Sequence, residues 1–394
     1  MSEPKKVDRR NFLYAGLGAV ALIAVGAAAY VAMNPPVVTQ TATSVVTTAV
    51  PTTSVITTTV PTTSVVTTTS VATTTVPTTI TYKPPTKVQL AVPNQGLTVL
   101  GPLELAKREG YFAEFGLEPD FPVLKGGAGC AQALIAESID FANIATMHAM
   151  KAYVQGYKLY GIANAMLSTI FTITVKKNIL PGIENKPVDE RVKALKGLKI
   201  GIVSPGSGSD VYLRYICKKY AGLDPDRDIE IVAIGSETAI GLAALEKGDI
   251  DAFILVEPAG SLAEYYGIGR IIANFARGDF PEFMNMSDSS ITTRKAFAER
   301  NPEICSGIVK AFAKAVKTWH ENRDKTLKIL KEIYSEMPPE VVEKVYDNTL
   351  NCVPKDISYN SKLLQDTCKI LIELGFVDKE LPMEEIYTNK FVSG

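Results

Sequence analysis

Charge is missing from a long part of this chain: from Asn11 to Tyr82, 72 consecutive residues include no Asp, Glu, Lys or Arg. Other absences narrow the function. There are only two histidines, His148 and His320, and no Gly-x-Ser-x-Gly elbow or His-Glu-x-x-His pair, so hydrolytic catalysis is poorly supplied. The five cysteines (Cys130, Cys217, Cys305, Cys352, Cys368) are too few for a disulfide scaffold, although Cys352 with Cys368 is a candidate bridge. They form no Cys-x-x-Cys pair and no Cys/His cluster, which argues against a zinc site. Charge elsewhere is balanced, at a net −1, with no basic stripe, so nucleic acid is not an expected partner. No cofactor is expected either.

The uncharged stretch has two halves. Phe12–Met33 is a run of 22 mostly apolar residues, enough to span a hydrocarbon core of roughly 30 Å. Lys5, Lys6, Arg9 and Arg10 precede it and no charge follows until Lys83. The positive-inside bias therefore places residues 1–11 in the cytoplasm and everything after residue 33 outside, as a single-pass anchored protein. A cleaved signal peptide is the competing reading: Ala27-Ala28-Ala29 offers a cleavage site, and Arg9-Arg10-Asn11-Phe12-Leu13 resembles a twin-arginine signal. Residues 34–85 then form a Thr/Pro-rich stalk. A ten-residue repeat (ATSVVTTAVP, TTSVITTTVP, TTSVVTTTSV) places Pro51 and Pro61 against helices and long ladders. No aromatic residue in the stalk precedes Tyr82, so it cannot build a core. Such tracts read as extended, disordered stalks, with β-structure the alternative because Val and Thr favour strands.

The 309 residues after Pro85 exceed one compact core, and two lobes are expected. Strand and helix patterns alternate: strands at 87–92, 121–124, 140–144, 159–163, 171–175, 199–203, 229–234 and 251–256, with helical patterns between several of them. Such alternation predicts α/β lobes. The two halves echo each other, because Ser138-Ile139-Asp140-Phe141 and Asp249-Ile250-Asp251-Ala252 each follow an Ala-Leu helix end. After Thr293 the sequence is mainly helical, over 304–320, 324–334 and 361–374.

Three strand-to-helix segments suit a ligand. Ser204-Pro205-Gly206-Ser207-Gly208-Ser209 offers close backbone approach, hydroxyls and a helix N-terminus, a site for an anionic group. It is also a plain turn and cap on its residues alone, and it lacks the Lys of a nucleotide P-loop. Lys125-Gly126-Gly127-Ala128-Gly129 and Asn94-Gln95-Gly96-Leu97-Thr98 are the others, with Ala145-Thr146-Met147 and Val256-Glu257-Pro258 after later strands. Tyr212, Met147 and Phe253 are candidates for apolar contacts. His148 reads as a packing or binding residue rather than a base.

The chain resembles a known family. Gly110-Tyr111-Phe112 with Phe115-Gly116-Leu117, then Gly126-Gly127 and Ser138-Ile139-Asp140-Phe141, are similar to the opening of nitrate/sulfonate/taurine-type substrate-binding proteins of ABC transporters. The family's middle is matched by Leu195-Lys196-Gly197-Leu198-Lys199-Ile200-Gly201, Gly222-Leu223-Asp224-Pro225, Gly248-Asp249-Ile250-Asp251-Ala252 and Glu257-Pro258. The resemblance implies a two-lobed, hinge-linked, type II periplasmic-binding-protein fold that traps its ligand by hinge closure. One lobe would combine residues 86–174 and 291–394 and the other residues 175–290. The ligand-binding positions implied are Asn94, Gln95, Thr98, Gly127, Ala128, Thr146, Ser207, Gly208, Ser209 and Glu257. The implied ligand is a small anionic organic solute, delivered to permease and ATPase subunits. The anchor and stalk resemble archaeal surface proteins. An enzyme or a sensor on the same fold, such as one handling a thiamine pyrimidine precursor, is the alternative.

Overall fold

The computed structural model describes residues 84–392, Lys125 and Asn285 excepted, and four short segments before them. The membrane-length segment 12–33 and most of the stalk lie outside the described residues. The four segments pair as two antiparallel ladders, Thr43–Ser44 with Thr78–Thr79 and Val50–Thr52 with Ser70–Ala72. Some backbone pairing therefore exists where an extended stalk was expected, in keeping with the strand preference of Val and Thr. No helix among the described residues is long and apolar enough to cross a membrane.

The folded unit opens with β1 (Thr86–Ala91), α1 (Leu97–Arg108), β2 (Leu117–Asp120), α2 (Gly126–Ile135), β3 (Phe141–Ala145), α3 (Thr146–Val154) and β4 (Leu159–Met166). A second series follows: β5 (Phe171–Lys176), α4 (Val188–Lys193), β6 (Lys199–Ile202), α5 (Gly208–Ala221), β7 (Glu230–Ala233), α6 (Thr238–Lys247), β8 (Ala252–Val256), α7 (Ala259–Tyr265) and β9 (Gly269–Asn274). The chain then returns through β10 (Ser289–Arg294) to α8 (Lys295–Arg300), α9 (Pro302–Glu321), α10 (Arg323–Ile333), α11 (Pro339–Thr349) and α12 (Ser361–Glu373).

Two mixed sheets result. The first has the order β2-β1-β3-β10-β4, the second β7-β6-β8-β5-β9. Each has a parallel trio and one antiparallel strand that arrives from the other sheet: β5 leaves the first series, and β10 returns from the second. The switch points fall between Met166 and Phe171 and between Asn274 and Ser289, a few residues ahead of the divisions expected at 174 and 290. The two crossover segments run side by side, Met286 N donating to Leu167 O and Asp288 N to Met166 O, both at 2.8 Å. The echo in the sequence is a structural repeat. Asp140 accepts from Gln89 N on β1 and Asp251 accepts from Lys199 N on β6, both at 2.9 Å. Each Asp turn thus fastens the third strand of its sheet's parallel trio to the first of that trio.

Two readings of the pattern need correction. The second strand is Leu117–Asp120, not 121–124, because Leu117 and Pro119 alternate inward with exposed Glu118 and Asp120; of the later run only Val123 bridges, to Val92. Strand β9, with its Ile271-Ile272-Ala273 run, also lies outside the expected strands, and β10 carries no strand signal that hydropathy exposes, since it reads Ser-Ser-Ile-Thr-Thr-Arg although its hydroxyl residues are buried.

Helix α9 starts at Pro302, where the missing N–H costs nothing, and buries the stripe Cys305, Ile308, Val309, Phe312, Ala315, Val316 and Trp319. At about 1.5–3 kcal/mol for each large apolar side chain, this face dominates the docking of α9. It packs closely on α1 at Gly101, where an added Cβ would lie 2.9 Å from Leu330 Cδ2 and 3.2 Å from the Trp319 ring, so a larger residue would push both side chains back. The C-terminal helices touch both series. Lys344 of α11 pairs with Glu264 of α7 at 2.7 Å, and Tyr215 of α5 donates to Glu373 of α12 at 3.1 Å. All five cysteines are free and buried, which overturns the Cys352–Cys368 bridge: Cys352 takes a bond from Ser168 Oγ at 3.0 Å, and Cys368 packs in a different apolar cluster.

Candidate functional site

The ends of the parallel strands meet at the crossovers. In the first sheet, β1 leads to the 94–98 turn and β3 leads directly to α3 at Thr146. Asn94 Oδ1 accepts from Gly96 N at 2.8 Å, closing an Asx turn ahead of α1. A Cβ on Gly96 would lie 3.6 Å from the carbonyl oxygen of Glu257, so this turn abuts the end of β8 in the second sheet. Thr98 and Thr146, at the starts of α1 and α3, are 2% and 1% exposed, and neither hydroxyl has a hydrogen-bond partner. Asn143 stands between them: its Nδ2 donates to Val99 O at 3.0 Å while its Oδ1 is unpartnered. Buried polar atoms are normally satisfied, so such a cluster at helix N-termini marks where another molecule's polar groups fit.

The other expected positions divide. Gln95 and Ala128 are exposed. Gly127 lies against His148, whose ring a Cβ at Gly127 would meet at 2.4 Å. Burial, and secondarily Lys151, hold the His148 imidazole down to about 4, so it is neutral near pH 7 and serves as packing. His320 is half-buried, its Nε2 lying 2.9 Å from Val353 O.

In the second sheet, β6 leads to the serine-glycine turn and α5. Its hydroxyls are engaged within the turn: Ser209 Oγ accepts from Val203 N at 2.9 Å, lies 2.9 Å from Ser207 Oγ, and Ser207 Oγ accepts from Ser204 N at 3.3 Å. Asp210 ties the turn down, accepting from Gly206 N and from Arg214 Nε, both at 2.7 Å. What the segment offers a ligand is the free amides of the first turn of α5 beside Gly208, where an added Cβ would touch the Phe171 ring at 3.4 Å. Glu257, fully buried, caps α7 by accepting from Ser261 N at 3.1 Å and Ser261 Oγ at 2.9 Å. Burial pushes its carboxyl up, and the Ser261 bonds oppose the rise. Of the apolar candidates, Tyr212 packs on Phe171, Phe275 and Phe283, and Met147 is buried near it in the same cluster. Phe253 lies in the other apolar cluster at 0% exposure, a core residue.

The residue that sequence reasoning missed is Asp288. It lies on the returning crossover, where its carbonyl accepts from Thr146 N at 2.8 Å. Its side chain is half-buried and takes a hydrogen bond from the Tyr212 hydroxyl. Burial pushes its carboxyl up to about 7, and the Tyr212 bond opposes that rise. The next residue, Ser289, faces Ala145 in the β3–β10 ladder, and its buried hydroxyl also lacks a partner. Through its backbone carbonyl and its side chain, this one residue thus joins the start of α3 in the first series to α5 in the second.

A family comparison decides the kinship of this architecture: the model of the NMT1-like family matches residues 83–332. The chain belongs to the NMT1-like family. A Bacillus subtilis relative named as a binding protein, YtlA, is 26% identical over 313 residues, covering 76% of this chain and 87% of that one. The nitrate/nitrite binding protein NrtA of Nostoc is 24% identical over 273 residues, 64% of this chain and 59% of its own length. Among solved structures, the alkanesulfonate-binding protein SsuA from Xanthomonas axonopodis, bound to MOPS, superposes with a TM-score of 0.60 at 20% identity, covering 78% of this chain and all of that one. This family member therefore has the α/β periplasmic-binding-protein fold, with two mixed sheets and flanking helices.

Proposed function

We propose that this chain is the solute-capturing receptor of an ABC importer. It works outside the cell, held to the membrane by Phe12–Met33 in the archaeal manner with the Thr-rich stretch as its stalk. It binds a small anionic organic solute between the two sheets, closes by bending at the paired crossovers, and delivers the solute to a permease served by an ATPase. The observation that carries this reading is the set of unpartnered buried groups, Thr98 Oγ1, Thr146 Oγ1 and Asn143 Oδ1, at helix starts beside the crossovers. Helix N-termini favour an acidic group, and the hydroxyls can donate to it. The binding proteins among its relatives support the same reading. The reading is one of binding, with His148 packed against Gly127.

Calorimetry of the full-length protein against a set of sulfonates, carboxylates and nitrate tests it. Saturable binding at one site, weakened by Thr98→Val or Thr146→Val, is the expected result. No binding by any member, and no transport defect on deleting the gene, would overturn it.

A further inference from the structure

The groups suited to an anion stand beside a carboxyl. Asp288 O accepts from the N–H of Thr146, the first residue of α3, at 2.8 Å. Its side chain takes the Tyr212 hydroxyl, and a Cβ on Gly208, the first residue of α5, would lie 3.6 Å from the Tyr212 ring. The carboxyl is thus one residue removed from each of two helix starts. Around it, Thr146 Oγ1 at 1% exposure and Ser289 Oγ at 7% lack partners.

No cation offsets this carboxyl among the described residues, where the ion pairs of aspartates all lie elsewhere. The ionisable groups that face it are Tyr212 from α5 and Cys352 from the turn after α11. Tyr387 of the C-terminal segment reaches Thr146 O at 3.4 Å, and Tyr359 packs on its ring at 4.9 Å. On α3, His148 is neutral near pH 7 and packed on Gly127, and the Lys151 ammonium lies over the Phe376 ring at 4.5 Å. Arg294, at the other end of β10, bonds Leu134 O and Ile139 O. Cys368 of α12 follows Thr367, which accepts from Ser287 N, and is buried. An anion at these helix starts and an ionised Asp288 therefore repel each other, in surroundings that screen them little. A proton removes the repulsion and adds a donor, because a carboxylic acid offers one O–H while still accepting from Tyr212.

We propose that a proton is the second ligand of this receptor: an anion seated at the starts of α3 and α5 binds together with one proton taken from solvent onto Asp288, whose O–H then donates to the anion. The proposal rests on the receptor reading above. Burial already holds the unliganded carboxyl up to about 7, so the uptake falls in an accessible range. Binding raises the carboxyl further, so affinity is level where the free protein already holds the proton and falls as pH rises beyond that point.

The test is calorimetry on the full-length protein with nitrate, ethanesulfonate and propionate, whose own charges stay fixed between about pH 6 and about pH 9. Affinity should fall by roughly 30- to 100-fold over that range. Titrations near pH 8 in buffers of different ionisation enthalpy should show close to one proton taken up per anion, a readout that needs no variant. Asp288→Asn should abolish the uptake, hold affinity within about threefold across the range, and bind about tenfold tighter than the wild type near pH 8. Affinity that is level with pH and takes up no proton, or a pH dependence that survives Asp288→Asn, overturns the proposal and leaves the receptor reading intact. Binding by none of the three, and by none of the wider set, removes both.

Discussion

Replacing Asp288 by Asn should stabilise the unliganded protein, and only at neutral to alkaline pH. In the folded chain burial pushes this carboxyl from 3.8 up to about 7. A raised carboxyl acts in the opposite sense to a salt-bridged one. The folded state keeps a proton that the unfolded state releases, so stability falls as pH rises between about 4 and about 7 and is flat beyond. A shift of about three units at about 1.4 kcal/mol each sets a ceiling near 4 kcal/mol. Because the side chain is half-buried and partly solvated, about 2 kcal/mol is the working figure. Asn keeps the shape and can accept from Tyr212, but it does not ionise. The two proteins should be about equal near pH 4, and the Asn variant more stable by roughly 2 kcal/mol near pH 8, some 4 °C in melting temperature. Urea unfolding followed by the fluorescence of Trp319, the single and fully buried tryptophan, measures this across the range. Groups common to both proteins, Glu257 included, cancel in the difference. A difference that stays constant with pH, or a wild type that gains on the variant as pH rises, would refute the reasoning.

Three further outcomes are expected. Glu257→Ala removes both acceptors of Ser261 and should cost about 2–3 kcal/mol in unfolding free energy, with Glu257→Gln costing less because one acceptor remains. Thr146→Val deletes a buried hydroxyl with no partner, so denaturant unfolding should show stability unchanged or slightly raised, while solute affinity falls about tenfold. A thiol reagent should find almost no reactive cysteine in the native protein and five after denaturation without reductant, since burial keeps Cys130, Cys217 and Cys305 protonated, up to about 12; fewer than five would reveal a disulfide.

The sequence made legible those parts of the fold that rest on local signals. Apolar runs marked β1, β3, β6 and β8, and the apolar stripe marked α9. The Asp140 and Asp251 turns revealed the internal repeat because each carboxylate makes the same bond to the first strand of its sheet's parallel trio. Strand β10 stayed hidden because its burial is tertiary. Ser290, Thr292 and Thr293 are at most 1% exposed, yet they read as a polar loop. The candidate site divides along the same line. Thr98 and Thr146 were legible because a hydroxyl after a strand and before a helix is a local pattern. The serines at 207 and 209 were legible as a turn, but only the fold shows that their hydroxyls bond one another.

Asp288 had no such signal. It stands in the Met-Ser-Asp-Ser-Ser run, which reads as an ordinary loop, and only the two crossovers bring it beside Thr146 and Tyr212. That placement has a mechanical consequence. If the two series close on each other, the bend falls at residues 167–170 and 275–288, and Asp288 is at the end of the second of these. The Lys344–Glu264 and Tyr215–Glu373 contacts, which tie the C-terminal helices to the second series, would have to follow such a bend or break.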